Sequence, residues 1–288
     1  MSGIDPAQSR GGSELEWVAA RAAAQMGTEN FPVALRMLPR RPRTHLARVY
    51  AFARFVDDVG DEASGDRLAL LDLIERDVRA LWGGEPTLGP VLGLRSVLDD
   101  CSLPIEPLLD LIEANRIDQR TMGYDTIDEL LGYCRLSAAP VGRIVLQIAG
   151  AVTQRNVADS DAVCAALQIL EHCQDVDEDA HAGRIYLPRA DLRHEQVRDA
   201  DLLTGVTNPG LRQVIALNVD RAEVQLAAGA GLVGRLSGWA RCAVGGYVAG
   251  GLATVAALRR ADYDVLAHEI RPSRLRTATC ALRLVAPW

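Results

Sequence analysis

No lysine occurs anywhere in the 288 residues, so all 31 Lys-plus-Arg side chains are arginines. Any anionic ligand must then be met by guanidinium forks, metal ions or helix N-termini. The charge balance is acidic: 38 carboxylates set the formal net charge at −7. That argues against nucleic acid as a partner, because affinity for phosphate backbones comes chiefly from basic side chains. Cysteine motifs are missing too. Cys101, Cys134, Cys164, Cys173, Cys242 and Cys280 show no Cys-x-x-Cys spacing and no signal-peptide pattern precedes them, so a reducing cytosol is the expected compartment. Most lie in apolar helical surroundings, where a cysteine acts as a small hydrophobe.

Long uncharged runs are also scarce. The longest, Cys242 to Leu258, falls about one residue short of a membrane span and carries four glycines, so it reads as a core helix. Gly246, Gly250 and Ala253 on it allow close approach, either of a packed helix or of a long apolar ligand. Alternating strands are absent, and no strand leads into a Gly-x-Gly-x-x-Gly turn, which leaves a Rossmann dinucleotide site without support.

What is present is helical spacing, over roughly 14–26, 32–38, 43–62, 66–82, 90–100, 105–121, 126–136, 139–152, 159–182, 208–233, 237–260 and 262–285. Breakers such as "WGGEP", "SLPIEP" and "TNPG" separate these segments. The expectation is a disordered tail over 1–13 and one all-α domain over 14–288, a single helical bundle.

Two acidic clusters carry the chemistry. In "VYAFARFVDDVGDE", Val49 to Glu62, helical spacing puts Tyr50, Arg54, Asp57 and Asp61 on one stripe and Val49, Phe52, Ala53 and Val56 on another. One such cluster reads most simply as a solvated face. A second, "LEHCQDVDEDAHAGRIYLP" from Leu170 to Pro188, places Glu171, Asp175 and Glu178 on one face with Asp179 beside them and Gly183 as a stop. If the two helices met across a core, the carboxylates would need cations. Mg2+ suits them, since it takes oxygen ligands from one or two carboxylates plus substrate phosphates. Glu178-x-x-His181 supplies half of a di-iron pattern, but no second Glu-x-x-His occurs, so an oxidative di-metal bundle is a remote alternative. His181, like His45, His172, His194 and His268, reads as structural or solvated.

These two motifs resemble the Asp-rich signatures of the squalene and phytoene synthase family, and the resemblance runs from "ENFPVALRMLP" at Glu29 to "RRADYDVL" and "RPSRLR". It implies an isoprenoid synthase-type bundle around a central apolar cavity, with Mg2+ as cofactor. Asp57 and Asp61 would be the first metal pair, and Asp175 and Asp179 the second. Tyr50 and Arg54 would touch the diphosphate and Arg184 and Tyr186 lie at its rim; for both arginines an ion pair with the carboxylates is the plainer reading. Asn30 falls where relatives place a polar residue near phosphate, and Tyr247 and Phe52 would be wall or core residues, core being the plainer reading for Phe52.

Two departures from the family pattern bear on function. Glu171 stands where an Asn ligand is common and adds a carboxylate to the second cluster. In "YCRLSAAPVG", Tyr133 to Gly142, Leu136 replaces a Tyr that relatives associate with condensation, and leucine accepts no proton. Together with "ENFPVA", this string resembles the hydroxysqualene synthase branch of hopanoid-producing bacteria. That branch implies presqualene diphosphate as substrate and water capture without a reductant, with Ser137, Asn30 and Tyr247 as candidates to hold the water. The alternatives are condensation of two prenyl diphosphates and a non-catalytic scaffold. A presqualene diphosphate synthase and a hydroxysqualene reductase are the functional partners implied. The expected place is the cytoplasm, with peripheral contact at the inner membrane face left open through the basic segment Leu38 to Arg48.

Overall fold

The computed structural model describes residue 12, residues 14–21 and residues 38–285. The described chain forms two compact units, one reaching Arg120 and including Ile144–Gly150, the other made of Thr121–Arg143 and the chain from Ala151. Among the described residues there are helices, turns and one isolated parallel bridge, Gly123 to Ile185, but no strand. The all-α expectation is met.

The first unit holds α1 (Arg40–Glu62), α2 (Arg67–Gly83), α3 (Gly89–Cys101) and α4 (Glu106–Asp118). Asp66 caps α2 by accepting from the Ala69 amide, and a proline in the first turn starts both α3 and α4. The apolar stripe of α1 turns inward as its spacing requires: Phe52, Phe55, Val56 and Val59 are fully buried against Leu71, Ile74, Leu94 and Ile112. Each such side chain contributes roughly 1.5–3 kcal/mol by leaving water. That packing fixes the rotation of α1 and therefore the direction of its acidic stripe.

The second unit contains α5 (Ile127–Ser137), α7 (Gln154–Gln174), α8 (Val176–His181), α9 (Arg189–His194), α10 (Pro209–Gly229), α11 (Gly231–Arg235), α12 (Gly238–Arg260) and α13 (Arg274–Val285). The intervening α6 (Ala139–Ile148) contributes residues to both units. Thr126, Thr153 and Asn208 cap α5, α7 and α10 through their side chains. A Cβ on Gly229 would stand 2.4 Å from the Asp159 carbonyl, so glycine is what lets α10 close onto α7. The uncharged run lies in α12, which by length and composition alone could cross a membrane. Its Val244, Val248, Ala249, Val255 and Leu258 are buried inside the unit, as a core helix requires.

Three helical segments differ markedly from their expected spans. The expected 159–182 helix starts at Gln154 and breaks at Asp175, whose φ of −98° and ψ of 19° end α7 and begin α8. The 208–233 segment divides near Ala230 into α10 and α11. Only 274–285 of the 262–285 segment is helical, because Asp262 and Tyr263 take positive φ (49° and 56°) and Pro272 blocks helix before Arg274. The short α9 and a 3-10 turn over Asp199–Leu203 were not expected. The tail, residue 12 apart, and residues 32–37 lie outside the described residues, as does Asn30.

Candidate active site

In the first unit Asp57 sits in a recess of α1: solvent reaches it, yet surrounding protein pushes its pKa up to about 7, with burial the main cause and Asp61 adding to it. Asn115 of α4 opposes that shift by donating from Nδ2 to Asp57 Oδ1 at 3.0 Å and to the Leu111 carbonyl at 3.2 Å. The approach depends on Gly60, since a Cβ there would stand 2.1 Å from Asn115 Oδ1. Gln119 donates to the Gly60 carbonyl at 2.9 Å and ties the same turn to α4. Asp61 is exposed one turn on.

Arg54 makes the ion pair that was its plainer reading, Nε to Asp58 Oδ1 at 2.7 Å. Asp58 is buried, and burial raises its pKa against the pull of Arg54. Asp58 therefore belongs to the interior, and the solvent-facing carboxylates of this cluster are Asp57, Asp61 and Glu62, of which Glu62 is paired with Arg21 at 2.6 Å. Tyr50 is half-buried two turns before Asp57.

In the second unit the break at Asp175 keeps Glu171, Asp175 and Asp179 one turn apart: the Asp175 amide bonds to the Glu171 carbonyl at 2.9 Å and the Asp179 amide to the Asp175 carbonyl at 2.8 Å. Burial pushes Asp175 up to about 6, with Glu171, Asp179 and Glu178 adding repulsion. Burial and Asp179 likewise raise Glu171, although solvent reaches it. Burial and neighbouring carboxylates thus disfavour the ionisation of Glu171 and Asp175, which is the electrostatic condition for recruiting a cation. The Arg184 amide bonds to the Asp179 carbonyl at 2.8 Å, past Gly183 at φ 77°, so the predicted stop residue turns the chain toward Tyr186.

Beside this cluster lies an aromatic group that periodicity does not reveal. Residues 185–190 run along residues 122–125, with the Ile185 amide on the Met122 carbonyl (3.0 Å) and the Arg189 amide on the Tyr124 carbonyl (2.9 Å). Gly123 is required, because a Cβ would stand 2.5 Å from the Ile185 carbonyl oxygen. This pairing brings Tyr124 and Tyr186 to 6.2 Å between ring centroids, with Tyr133 at 5.4 and 5.7 Å from the two. His172 stacks on Tyr186 at 3.9 Å and 10°, and its Nδ1 lies 3.8 Å from Asp179 Oδ2. Tyr186 is thus a buried member of an aromatic stack, and His172 is buried next to the acidic face.

Ser137 donates to the Tyr133 carbonyl at 3.3 Å, and Leu136 is half-buried beside it. Tyr247 on α12 is 41% exposed, while surrounding protein pushes its pKa up to about 12. A Cβ on Gly246 or Gly250 would meet nothing within 4 Å, so these glycines leave an open face next to Tyr247; the close packing on α12 is at Gly245 and Gly251. His181 is exposed, with its Nδ1 2.8 Å from the Asp177 carbonyl oxygen.

Among the described residues no three His, Cys, Asp or Glu side chains converge tightly enough to hold a metal unaided. The donor set is all carboxylate oxygen, arranged in pairs one turn apart. That fits Mg2+, which binds through one or two carboxylates and completes its shell with water and substrate phosphate.

A helical fold bearing two separate carboxylate-rich turns defines the isoprenoid synthase class, and comparison with known proteins specifies it further. The squalene/phytoene synthase pattern matches residues 24–278, and the chain belongs to that family. The hydroxysqualene synthase of Sinorhizobium fredii is 34% identical over 220 residues, covering 75% of this chain and 74% of that protein. That of Rhodopseudomonas palustris is 38% identical over 187 residues, 64% and 63% of the two chains. The crystal structure of squalene synthase HpnC from Alicyclobacillus acidocaldarius shares 43% identity and superposes with a TM-score of 0.79 over 90% of this chain and 97% of that one. A dehydrosqualene synthase at 22% identity shares the fold, with a TM-score of 0.78. The chain is accordingly an enzyme that processes prenyl diphosphates in squalene- and phytoene-type synthesis.

Proposed function

We propose that this enzyme ionises presqualene diphosphate and lets water capture the rearranged cation, giving hydroxysqualene. The observation that carries the reading is Leu136. On α5, one turn from Tyr133 and beside Ser137, it presents an apolar side chain where condensation would need a proton acceptor. The hydroxysqualene synthase names of relatives at 34% and 38% identity support the same branch.

Asp57 and Asp61 in one cluster, and Glu171, Asp175 and Asp179 in the other, would hold Mg2+ together with the diphosphate oxygens. When bound, Mg2+ would neutralise the charge gathering on the departing diphosphate. Tyr50 beside the first cluster and Arg184 beside the second would each offer a polar group to a diphosphate held there, and Arg54, through its ion pair with Asp58, holds the acidic turn of α1 in place. The Tyr124, Tyr133 and Tyr186 rings offer negative π-faces to a carbocation without offering a strong nucleophile. The open face at Gly246 and Gly250 leaves room for isoprenoid chain. Tyr247 keeps its proton at neutral pH and can donate to an ordered water, while the Ser137 hydroxyl, whose proton goes to the Tyr133 carbonyl, can accept from one.

Incubation with presqualene diphosphate and Mg2+ but no nicotinamide cofactor should release diphosphate and give hydroxysqualene, with 18O from labelled water in the hydroxyl. Efficient conversion of farnesyl diphosphate alone, or squalene formed only with NADPH, would assign a two-step synthase instead. A presqualene diphosphate synthase would supply the substrate and a hydroxysqualene reductase would consume the product.

A further inference from the structure

The last helix carries a surface that the acidic clusters do not account for. In α13 the half-buried side chains are Thr277, Cys280, Ala281, Leu284 and Val285, which form one face. That face packs closely enough on α12 that a Cβ at Gly245 would stand 2.6 Å from Val285. The opposite face centres on Leu275 and Leu282, seven residues apart and 78% and 72% exposed, the two most exposed large apolar side chains among the described residues. Arg276 and Arg283 flank these leucines on one side and Arg274 on the other. None of the three forms an ion pair among the described residues, and no Asp or Glu follows Glu269 in the sequence. The chain as a whole is at −7, so this positive segment is a local feature.

We propose that the exposed face of α13 seats on an anionic lipid surface, with Leu275 and Leu282 entering the acyl boundary and Arg274, Arg276 and Arg283 meeting lipid phosphates. Charge and geometry select this occupant. Two leucines centred between arginines match a bilayer interface, where long basic side chains bury their stems and keep their heads at the phosphate level. A second copy of the same face would set arginines against arginines. The basic segment Leu38 to Arg48 lacks these features: it opens α1, Leu46 and His45 are buried, and Arg41 is paired with Asp100 at 2.9 Å.

The test is co-sedimentation of the full chain with phosphatidylglycerol/phosphatidylcholine vesicles and with pure phosphatidylcholine vesicles. Binding should be at least about tenfold stronger to the anionic vesicles and should weaken as salt is raised. The double variant Leu275→Ser/Leu282→Ser, at exposed positions, should keep its helix content and lose at least about tenfold in partitioning; Arg276→Gln/Arg283→Gln should lose the preference for anionic lipid. Equal binding of the leucine variant and the parent protein would overturn the proposal. So would a concentration-dependent dimer that the same variant abolishes, since that would give the face to a second copy. Neither readout depends on which diphosphate the enzyme accepts.

Discussion

The His172 ring lies flat on the Tyr186 ring, 3.9 Å between centroids, with its Nδ1 3.8 Å from Asp179 Oδ2. One contact thereby links the buried tyrosine group to the second acidic cluster. The stack orients the imidazole, and the imidazole stands beside a carboxylate whose neighbours repel it.

Tyr186→Ala should accordingly do two things. Removing a buried ring costs about 3–5 kcal/mol on the scale of aromatic truncations, visible as a lower urea midpoint. It also frees His172, so turnover should fall by more than the unfolded fraction explains. Tyr186→Phe keeps the ring and should stay within about 1.5 kcal/mol of the parent protein. An alanine variant as stable as the parent would remove the stack from the account.

Gly60→Ala is the second case. Alanine inside a helix normally gains about 1 kcal/mol over glycine. Here the added Cβ would stand 2.1 Å from Asn115 Oδ1, and the clash wins because Asn115 is buried and its amide holds Asp57. The single variant should be destabilised by about 1–3 kcal/mol, the range for overpacking, and Gly60→Ala/Asn115→Ser should recover part of that loss. Additive losses in denaturant melts would show that the two positions do not couple.

Why these partners were hard to read from sequence is a matter of range. The stripe of Asp57 and Asp61 follows from helical spacing and the burial of Phe52 and Val56, so it was legible within one turn of chain. So was the stop at Gly183. Asn115 is 58 residues from Asp57 and belongs to a different helix, and Tyr124 reaches Tyr186 only through the pairing of residues 122–125 with 185–190. The signal for both contacts was a glycine without an obvious local reason, Gly60 in mid-helix and Gly123 before a tyrosine. The break at Asp175 was invisible because the carboxylates keep helical spacing across it.

Glu171 tests the second cluster. It raises the pKa of Asp175 by repulsion, and it supplies an additional oxygen donor. Glu171→Asn keeps an oxygen donor but removes a charge, so it should lower the Asp175 pKa and raise the Mg2+ concentration for half-maximal rate. An unchanged Mg2+ requirement would make Glu171 a solvated residue. Titration of the metal-free protein by carboxyl NMR would follow Asp175 independently of activity.

Asp57 gives a stability prediction whose sign can be worked out. Its folded pKa is about 7, above the ordinary aspartate value of about 4 in an unfolded chain. Between those values the folded state holds more protons, so the metal-free protein loses stability as pH rises from about 4 to about 7, and levels off above. The whole shift overstates the effect, because solvent reaches the carboxylate and screens it; about 1 kcal/mol is the discounted size. Asp57→Asn removes the ionisation and can still accept from Asn115. The variant should melt higher than the parent protein at pH 8 without Mg2+, match it near pH 4, and lose turnover by orders of magnitude. Saturating Mg2+ with diphosphate should raise the melting temperature of the parent more than that of the variant, since binding to the folded state alone stabilises it. A variant less stable than the parent at pH 8 would mean that the Asp57 carboxylate is satisfied by the protein itself, leaving no electrostatic deficit for a cation to fill.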